Sequence, residues 1–205
     1  MTASLGFVEP DDIKVTLASI MTAIINEVDF DPAEGILHHE EGIDLLPANI
    51  ELSALEITMG TVMSREVILK EYIEMLKDRY QYILLDCMPS LGIMTINALA
   101  AADTVIIPVQ AAYLPVKGLQ QLIKTIFMVK KRLNRKLTFE GILLTMVDFR
   151  TNYAKDIYAS VRESYGSQIH IFDTRVPLSV KAAEASSVGS SIFRYCPRNK
   201  VALAY

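Results

Sequence analysis

The amino-acid sequence predicts an α/β fold, a mostly parallel sheet flanked by helices on both faces, and three observations lead there. Short apolar runs at residues 82–85, 104–109 and 139–146 lack the polar alternation of a half-buried strand, so they read as strands covered on both faces. Segments with helical periodicity stand between them, and crossovers of that length join parallel neighbours. The chain has 205 residues, 51% of them hydrophobic, enough for a sizeable core, and it shows no repeat, low-complexity stretch or flexible linker. Residues 1–205 therefore read as a single domain.

Each element has its own justification. Residues 13–28 read as an amphipathic helix, followed by an acidic loop through Glu41 and a strand at 43–47. Two helices are expected near 50–61 and 64–79; in the second, Val67, Leu69, Ile73, Met75 and Leu76 stand among Glu and Lys, the pattern of a helix lying on a sheet. A strand at 82–85, a turn through Pro89, Ser90 and Gly92, an apolar helix at 93–102 and a strand at 104–109 make a βαβ unit. A helix at 116–133, a strand at 139–146, a helix at 152–164 and a short strand at 169–172 come next. Residues 201–205 open a further helix that shows no C-cap.

Composition narrows the class. No run approaches the roughly 20 apolar residues of a membrane span, and residues 1–10 lack the basic start and apolar stretch of a signal peptide, so a cytoplasmic protein is expected. Two cysteines, Cys87 and Cys196, make neither a disulfide framework nor a paired metal spacing, and His38, His39 and His170 are too scattered for a zinc site. The net charge of -4 hides an asymmetry: residues 1–116 hold 5 Lys+Arg against 18 Asp+Glu, and residues 117–205 hold 15 against 6. The later part is a candidate polyanion surface. Its cluster at Lys130, Lys131, Arg132, Arg135 and Lys136 equally suits the negative end of a helix dipole.

One residue stands out as a candidate site. The apolar run 82–85 ends at Asp86, and in open parallel sheets ligands bind beyond the carboxyl ends of the strands. A charge there needs a partner, and a magnesium ion or its water shell would serve. The alternative is an aspartate that caps the helix after a buried strand.

The stretch around Asp86, Tyr-Ile-Leu-Leu-Asp-Cys-Met-Pro-Ser-Leu-Gly-Ile-Met-Thr-Ile-Asn-Ala-Leu at 82–99, resembles the Walker B segment of the ParA family of DNA-partitioning ATPases, deviant P-loop proteins that include Soj. Further segments match in order: Thr2-Ala3-Ser4-Leu5-Gly6, Leu45-Leu46-Pro47-Ala48, Ser64-Arg65-Glu66 opening a helix, the strand Gly141–Met146, and Asp148-Phe149-Arg150-Thr151-Asn152. The resemblance covers essentially the whole chain. Two family features have no counterpart in these residues, the Gly-rich KGGVGKT phosphate loop and the strand ending in Asp-x-Asp-Pro. The chain thus reads as the middle and later part of such an ATPase, incomplete at both ends.

The resemblance implies roles at matching positions. Asp86 is the Walker B carboxylate, acting on Mg through water; Ser90 and Gly92 lie in the switch region that senses the γ-phosphate; Thr145, Asp148 and Pro177 fall in segments that flank the nucleotide base. Arg150 and Lys181 align with family cations that bind DNA nonspecifically, although Pro177-Leu178-Ser179-Val180-Lys181 has lost one basic residue and carries an ammonium where the family has a guanidinium. Gln110-Ala111-Ala112-Tyr113 lacks the glutamate often found after that strand. With the phosphate loop absent, no catalytic residue is assigned.

By the same resemblance, a homodimer is expected to sandwich two ATP molecules with Mg and to bind nonspecific double-stranded DNA. A centromere-binding ParB-type protein then stimulates hydrolysis and release, the whole being cytoplasmic and nucleoid-associated. Residues 1–205 lack the means to run that cycle alone. Two alternatives stand beside it: a membrane-associated ATPase of the MinD type, which needs a basic amphipathic C-terminal helix that residues 1–205 do not show, and a non-catalytic DNA-binding or dimer-forming domain.

Overall fold

A computed structural model describes residues 1–88 and 90–205, with backbone alone for residues 113–117. Pro89, part of the expected turn, lies outside the described residues. The chain divides into two compact units, residues 1–102 and 103–205.

In the first unit, helix α1 (Leu17–Ile25) starts where the Ser19 hydroxyl accepts from the Thr16 backbone N–H at 2.8 Å and Leu17 N–H bonds Pro47 O at 2.9 Å. Strands β1 (Leu37–His39) and β2 (Ile43–Leu45) form an antiparallel hairpin, closed by Gly42 at φ 78°. Helix α2 (Glu51–Thr58) runs into a 3-10 turn at Met59–Thr61. Helix α3 (Ile68–Leu76) presents Ile68, Leu69, Tyr72 and Leu76 as one buried stripe, and α4 (Ile93–Ala101) packs against it. Around that contact lies an apolar core with Met21, Met59 and Tyr72 fully buried.

Two expectations for this unit are corrected. The helix foreseen from Ser64 begins at Ile68, because Ser64 holds a left-handed φ of 55° that no helix continues through. The strand foreseen at 82–85 is not formed, which leaves the expected βαβ unit without its first strand among the described residues. Residues 82–88 have no regular secondary structure and pair with no strand of that unit. Ile83 and Leu85 pack against the core while Tyr82 and Leu84 are 80% and 86% exposed. An apolar run reports burial; a strand also needs a neighbour with free backbone groups.

The second unit holds a parallel three-stranded sheet in the order β3-β4-β5. Strand β3 (Thr104–Gln110) leads through helix α5 (Tyr113–Arg132) to β4 (Thr138–Val147), and α6 (Asn152–Tyr165) leads on to β5 (Ile171–Pro177). Helices α7 (Val180–Ser187), α8 (Ile192–Tyr195) and α9 (Lys200–Ala204) follow. Ile142 and Leu144 are fully buried at the centre of β4, with Ile107 and Val109 buried from β3 and Val161 from α6. Strand β5 runs five residues further than the 169–172 expected, since Asp173, Thr174 and Arg175 interrupt its apolar pattern. The α/β class with a parallel sheet and flanking helices is as the sequence predicts. The charge asymmetry follows the units: residues 103–205 carry 15 Lys+Arg against 7 Asp+Glu.

Candidate functional site

The sequence-predicted site residues fall into two groups, one in each unit. In the first, Asp86 is exposed, its carboxylate 59% accessible and 3.8 Å from the Met1 amino group. It caps no helix: α4 begins several residues later, with Gly92 at its N-cap. Ser90 O accepts the Thr95 hydroxyl at 2.7 Å, which fastens the loop to the first turn of α4. A Cβ at Gly92 would sit 1.9 Å from Glu56 Oε1, so a larger residue there would have to turn the Glu56 carboxylate aside. The neighbouring Cys87, at the surface, has its thiol pushed up by desolvation and then by the Asp86 charge, which works against thiolate formation.

Beneath this loop a buried amide joins α3 to α4. Asn97 Oδ1 accepts from Leu69 N–H at 3.1 Å, and Nδ2 donates to Arg65 O at 2.7 Å and Ile93 O at 3.0 Å. The side chain from α4 therefore caps α3 from outside, filling a role that Val67 at the N-cap cannot. In the sequence Asn97 stands only as one member of a matching segment. Its signal there is an amide inside an otherwise apolar helix, which demands hydrogen-bond partners.

The second group gathers at the carboxyl ends of β4 and β5. Val147 pairs with Pro177, and Leu178 N–H bonds Val147 O at 3.2 Å, so the loops that leave the two strands start side by side. Thr145 lies half-buried near the end of β4, its carbonyl accepting from Ala111 N–H at 3.2 Å. Met146 holds a left-handed φ of 52°, a strained conformation for a residue with a side chain. Thr151 then caps α6, its hydroxyl accepting from Ala154 N–H at 3.3 Å and donating to Asp148 O at 2.9 Å. From the β5 side, Ser179 Oγ meets Asn199 Oδ1 at 3.3 Å, tying the start of α7 to that of α9.

At these loops the two predicted DNA-binding cations are both in ion pairs. Arg150 donates through Nε to Asp148 Oδ1 at 2.8 Å and through Nη2 to Oδ2 at 2.7 Å, and its backbone N–H reaches Oδ1 at 3.1 Å. That fork holds the Asp148 carboxyl down at about 2 and raises the guanidinium further. Lys181 Nζ donates to Glu184 Oε2 at 2.7 Å, and the same oxygen accepts from Tyr195 Oη at 3.0 Å. The Asp-x-Arg and Lys-x-x-Glu spacings are visible in the sequence; that they close into pairs is not.

Among the described residues no group of three or more His, Cys, Asp and Glu could hold a metal ion. A single exposed carboxylate at Asp86 fits an outer-shell role, through water to an ion held by something else, and not a protein-built magnesium site. Among the described residues no helix is long and apolar enough to cross a membrane.

The architecture defines a class first: a parallel α/β protein whose loops at the strands' carboxyl ends carry paired charges. A family model described as an AAA domain, AAA_31, matches residues 1–139. The sporulation initiation inhibitor protein Soj of Bacillus subtilis is 39% identical over 204 residues, covering 100% of this chain and 78% of that protein. The chromosome partitioning protein ParA of Myxococcus xanthus is 39% identical over 189 residues, covering 91% and 65%. A solved structure of cobyrinic acid a,c-diamide synthase from Mycobacterium smegmatis, with bound ATP analogue and magnesium, superposes with a TM-score of 0.85 at 30% identity, covering 100% of this chain and 73% of that one. The chain belongs to the ParA family of partition ATPases.

Proposed function

We propose that these residues form the DNA-facing and magnesium-sensing part of an ATP-driven partition switch that uses ATP and Mg. The observation that supports this most is the similarity to Soj along all of the chain, which carries the Asp86 and Arg150 segments together. In this reading Asp86 orients, through water, the magnesium bound to the nucleotide. The ion's part is to neutralise charge on the phosphates. The 90–92 loop, fastened to α4 by Thr95, reports whether the γ-phosphate is present.

Thr145, Asp148 and Pro177 flank the nucleotide base at the shared edge of β4 and β5. Arg150 and Lys181 contact DNA phosphates from the same edge, the basic second unit supplying the surrounding field. Two subunits close over nucleotide to form the DNA-binding dimer, and a ParB-type centromere-binding protein triggers hydrolysis and release. The protein works in the cytoplasm on the nucleoid, and all 205 residues act as one ATPase domain.

Residues 1–205 contain no phosphate loop, so by themselves they neither hold ATP tightly nor hydrolyse it. The test is binding to a nonspecific DNA duplex, with and without ATP and Mg, for this chain and for a form extended upstream in the source genome. The extended form should bind more tightly and only with ATP, and Arg150→Ala should weaken that binding. An extended form indifferent to ATP would leave the non-catalytic DNA-binding reading in its place.

A further inference from the structure

Both cations assigned to DNA carry an internal substitute for a phosphate. The Asp148 carboxylate occupies the Nε/Nη2 edge of Arg150, the planar fork that also matches two phosphate oxygens. Glu184 takes the ammonium of Lys181 from the same helix, and Tyr195 Oη holds Glu184 in place. Local ion pairs also join Arg65 to Glu66 and Lys77 to Glu74 in the first unit, but not every cation of the second unit is held this way. Arg175 is 4.0 Å from the ring centre of Tyr158 and Arg162 donates to the Tyr158 hydroxyl at 3.2 Å; among the described residues neither forms an ion pair with a carboxylate. The Arg150 side chain is 88% exposed, so its pair with Asp148 is not sealed by packing and opens by side-chain rotation alone.

We propose that Asp148 and Glu184 compete with DNA phosphates for Arg150 and Lys181, so that DNA engages this edge only by displacing the two carboxylates. The inference rests on the proposed DNA-binding reading and adds a regulator to it. Bidentate contact through the Nε edge of Arg150 excludes the Asp148 fork, because the same two N–H groups serve both. The competitors lie two and three residues from their cations, so the exchange requires no movement of a helix or strand. Anything that draws Asp148 away, such as a group at the nucleotide-base position it flanks, would free Arg150 and raise DNA affinity. That route links the occupancy of one loop to the grip of its neighbour.

The test measures fluorescence anisotropy of a short random-sequence duplex at low ionic strength, with the upstream-extended form in the presence of ATP and Mg. It compares wild type with Asp148→Asn, Glu184→Gln, Arg150→Ala, the double variant Asp148→Asn/Arg150→Ala, and Asp156→Asn. The last removes an exposed α6 carboxylate that makes no ion pair among the described residues, and so controls for net charge alone. Asp148→Asn and Glu184→Gln should each bind about two- to fivefold more tightly than wild type, beyond any gain from Asp156→Asn. The gain from Asp148→Asn should vanish in the Arg150→Ala background and shrink as salt rises. A gain no larger than the control's, or one that survives without Arg150, overturns the competition while leaving Arg150 as a DNA contact. Equal binding by wild type and Arg150→Ala overturns the DNA assignment at Arg150 and the competition with it.

Discussion

Replacing Asn97 with alanine tests whether the helix pair beneath the 90–92 loop is held by one amide. The side chain is fully buried and makes three hydrogen bonds, to Leu69 N–H, Arg65 O and Ile93 O. Alanine removes those bonds, each of which contributes about 1 kcal/mol net, and strands the Leu69 N–H and Arg65 O at the contact between α3 and α4. Ile93 O keeps its own helix and suffers less. A loss of about 2–4 kcal/mol is expected, a large fraction of the stability of an ordinary domain. Urea unfolding monitored by circular dichroism would show it as a lower midpoint with an unchanged slope. Asn97→Asp gives an internal check: its carboxylate can still accept from Leu69 but faces two carbonyl oxygens, so burial and repulsion raise its pKa. A raised carboxyl favours the folded state below the unfolded pKa of about 3.9, and that support is lost as pH rises through the folded value. The aspartate variant should therefore be less impaired near pH 4 than at pH 7, about the unfolded value and well above it. A change under about 0.5 kcal/mol for Asn97→Ala would refute the reasoning, since it would mean that water replaces all three bonds without penalty.

Two further substitutions have outcomes set by the same structure. Gly141→Ala should destabilise the second unit by about 1–3 kcal/mol, because its Cβ would stand 2.7 Å from Phe172 Cε2 and 2.9 Å from His170 O where β4 meets β5; thermal unfolding reads this directly. Tyr72→Phe should remove about 1 kcal/mol with the hydrogen bond from its hydroxyl to Pro32 O at 3.0 Å. Burial pushes that phenol up to about 12, so its contribution is fully present below the unfolded value of about 10 and is lost as pH rises through the folded one. Wild type should consequently lose more stability than Tyr72→Phe between those two pH values in an alkaline unfolding series.

The sequence is legible where local pattern and tertiary role coincide. Strands β3 and β4 and helices α4 and α6 fall within a few residues of their expected bounds, since an apolar run or a helical stripe there also has its partner in the same unit. Residues 82–88 show the limit: composition marks them as strand-like, and Ile83 and Leu85 do pack on the core, yet pairing depends on a neighbour that apolarity does not encode. Helix α3 departs at its start for a similar reason, as its cap arrives from Asn97, 28 positions away from Leu69. At the candidate site, residue types are readable and their couplings are not. Arg150 and Lys181 are visible as cations, whereas the carboxylates that hold them depend on side-chain rotamers at the ends of β4 and β5. Thr145, Asp148, Arg150, Pro177 and Lys181 are brought to one edge by the register of Val147 with Pro177, a long-range pairing that motif spacing cannot supply.

The salt dependence of nonspecific DNA binding, for wild type and for the double variant Arg150→Ala/Lys181→Ala, bears most directly on the role given to this edge. Each phosphate contact contributes about 0.9 to the slope of log affinity against log salt, so removal of both cations should weaken binding and flatten the slope by about 1.8. Parallel slopes with equal affinities would contradict the assignment of this edge to DNA.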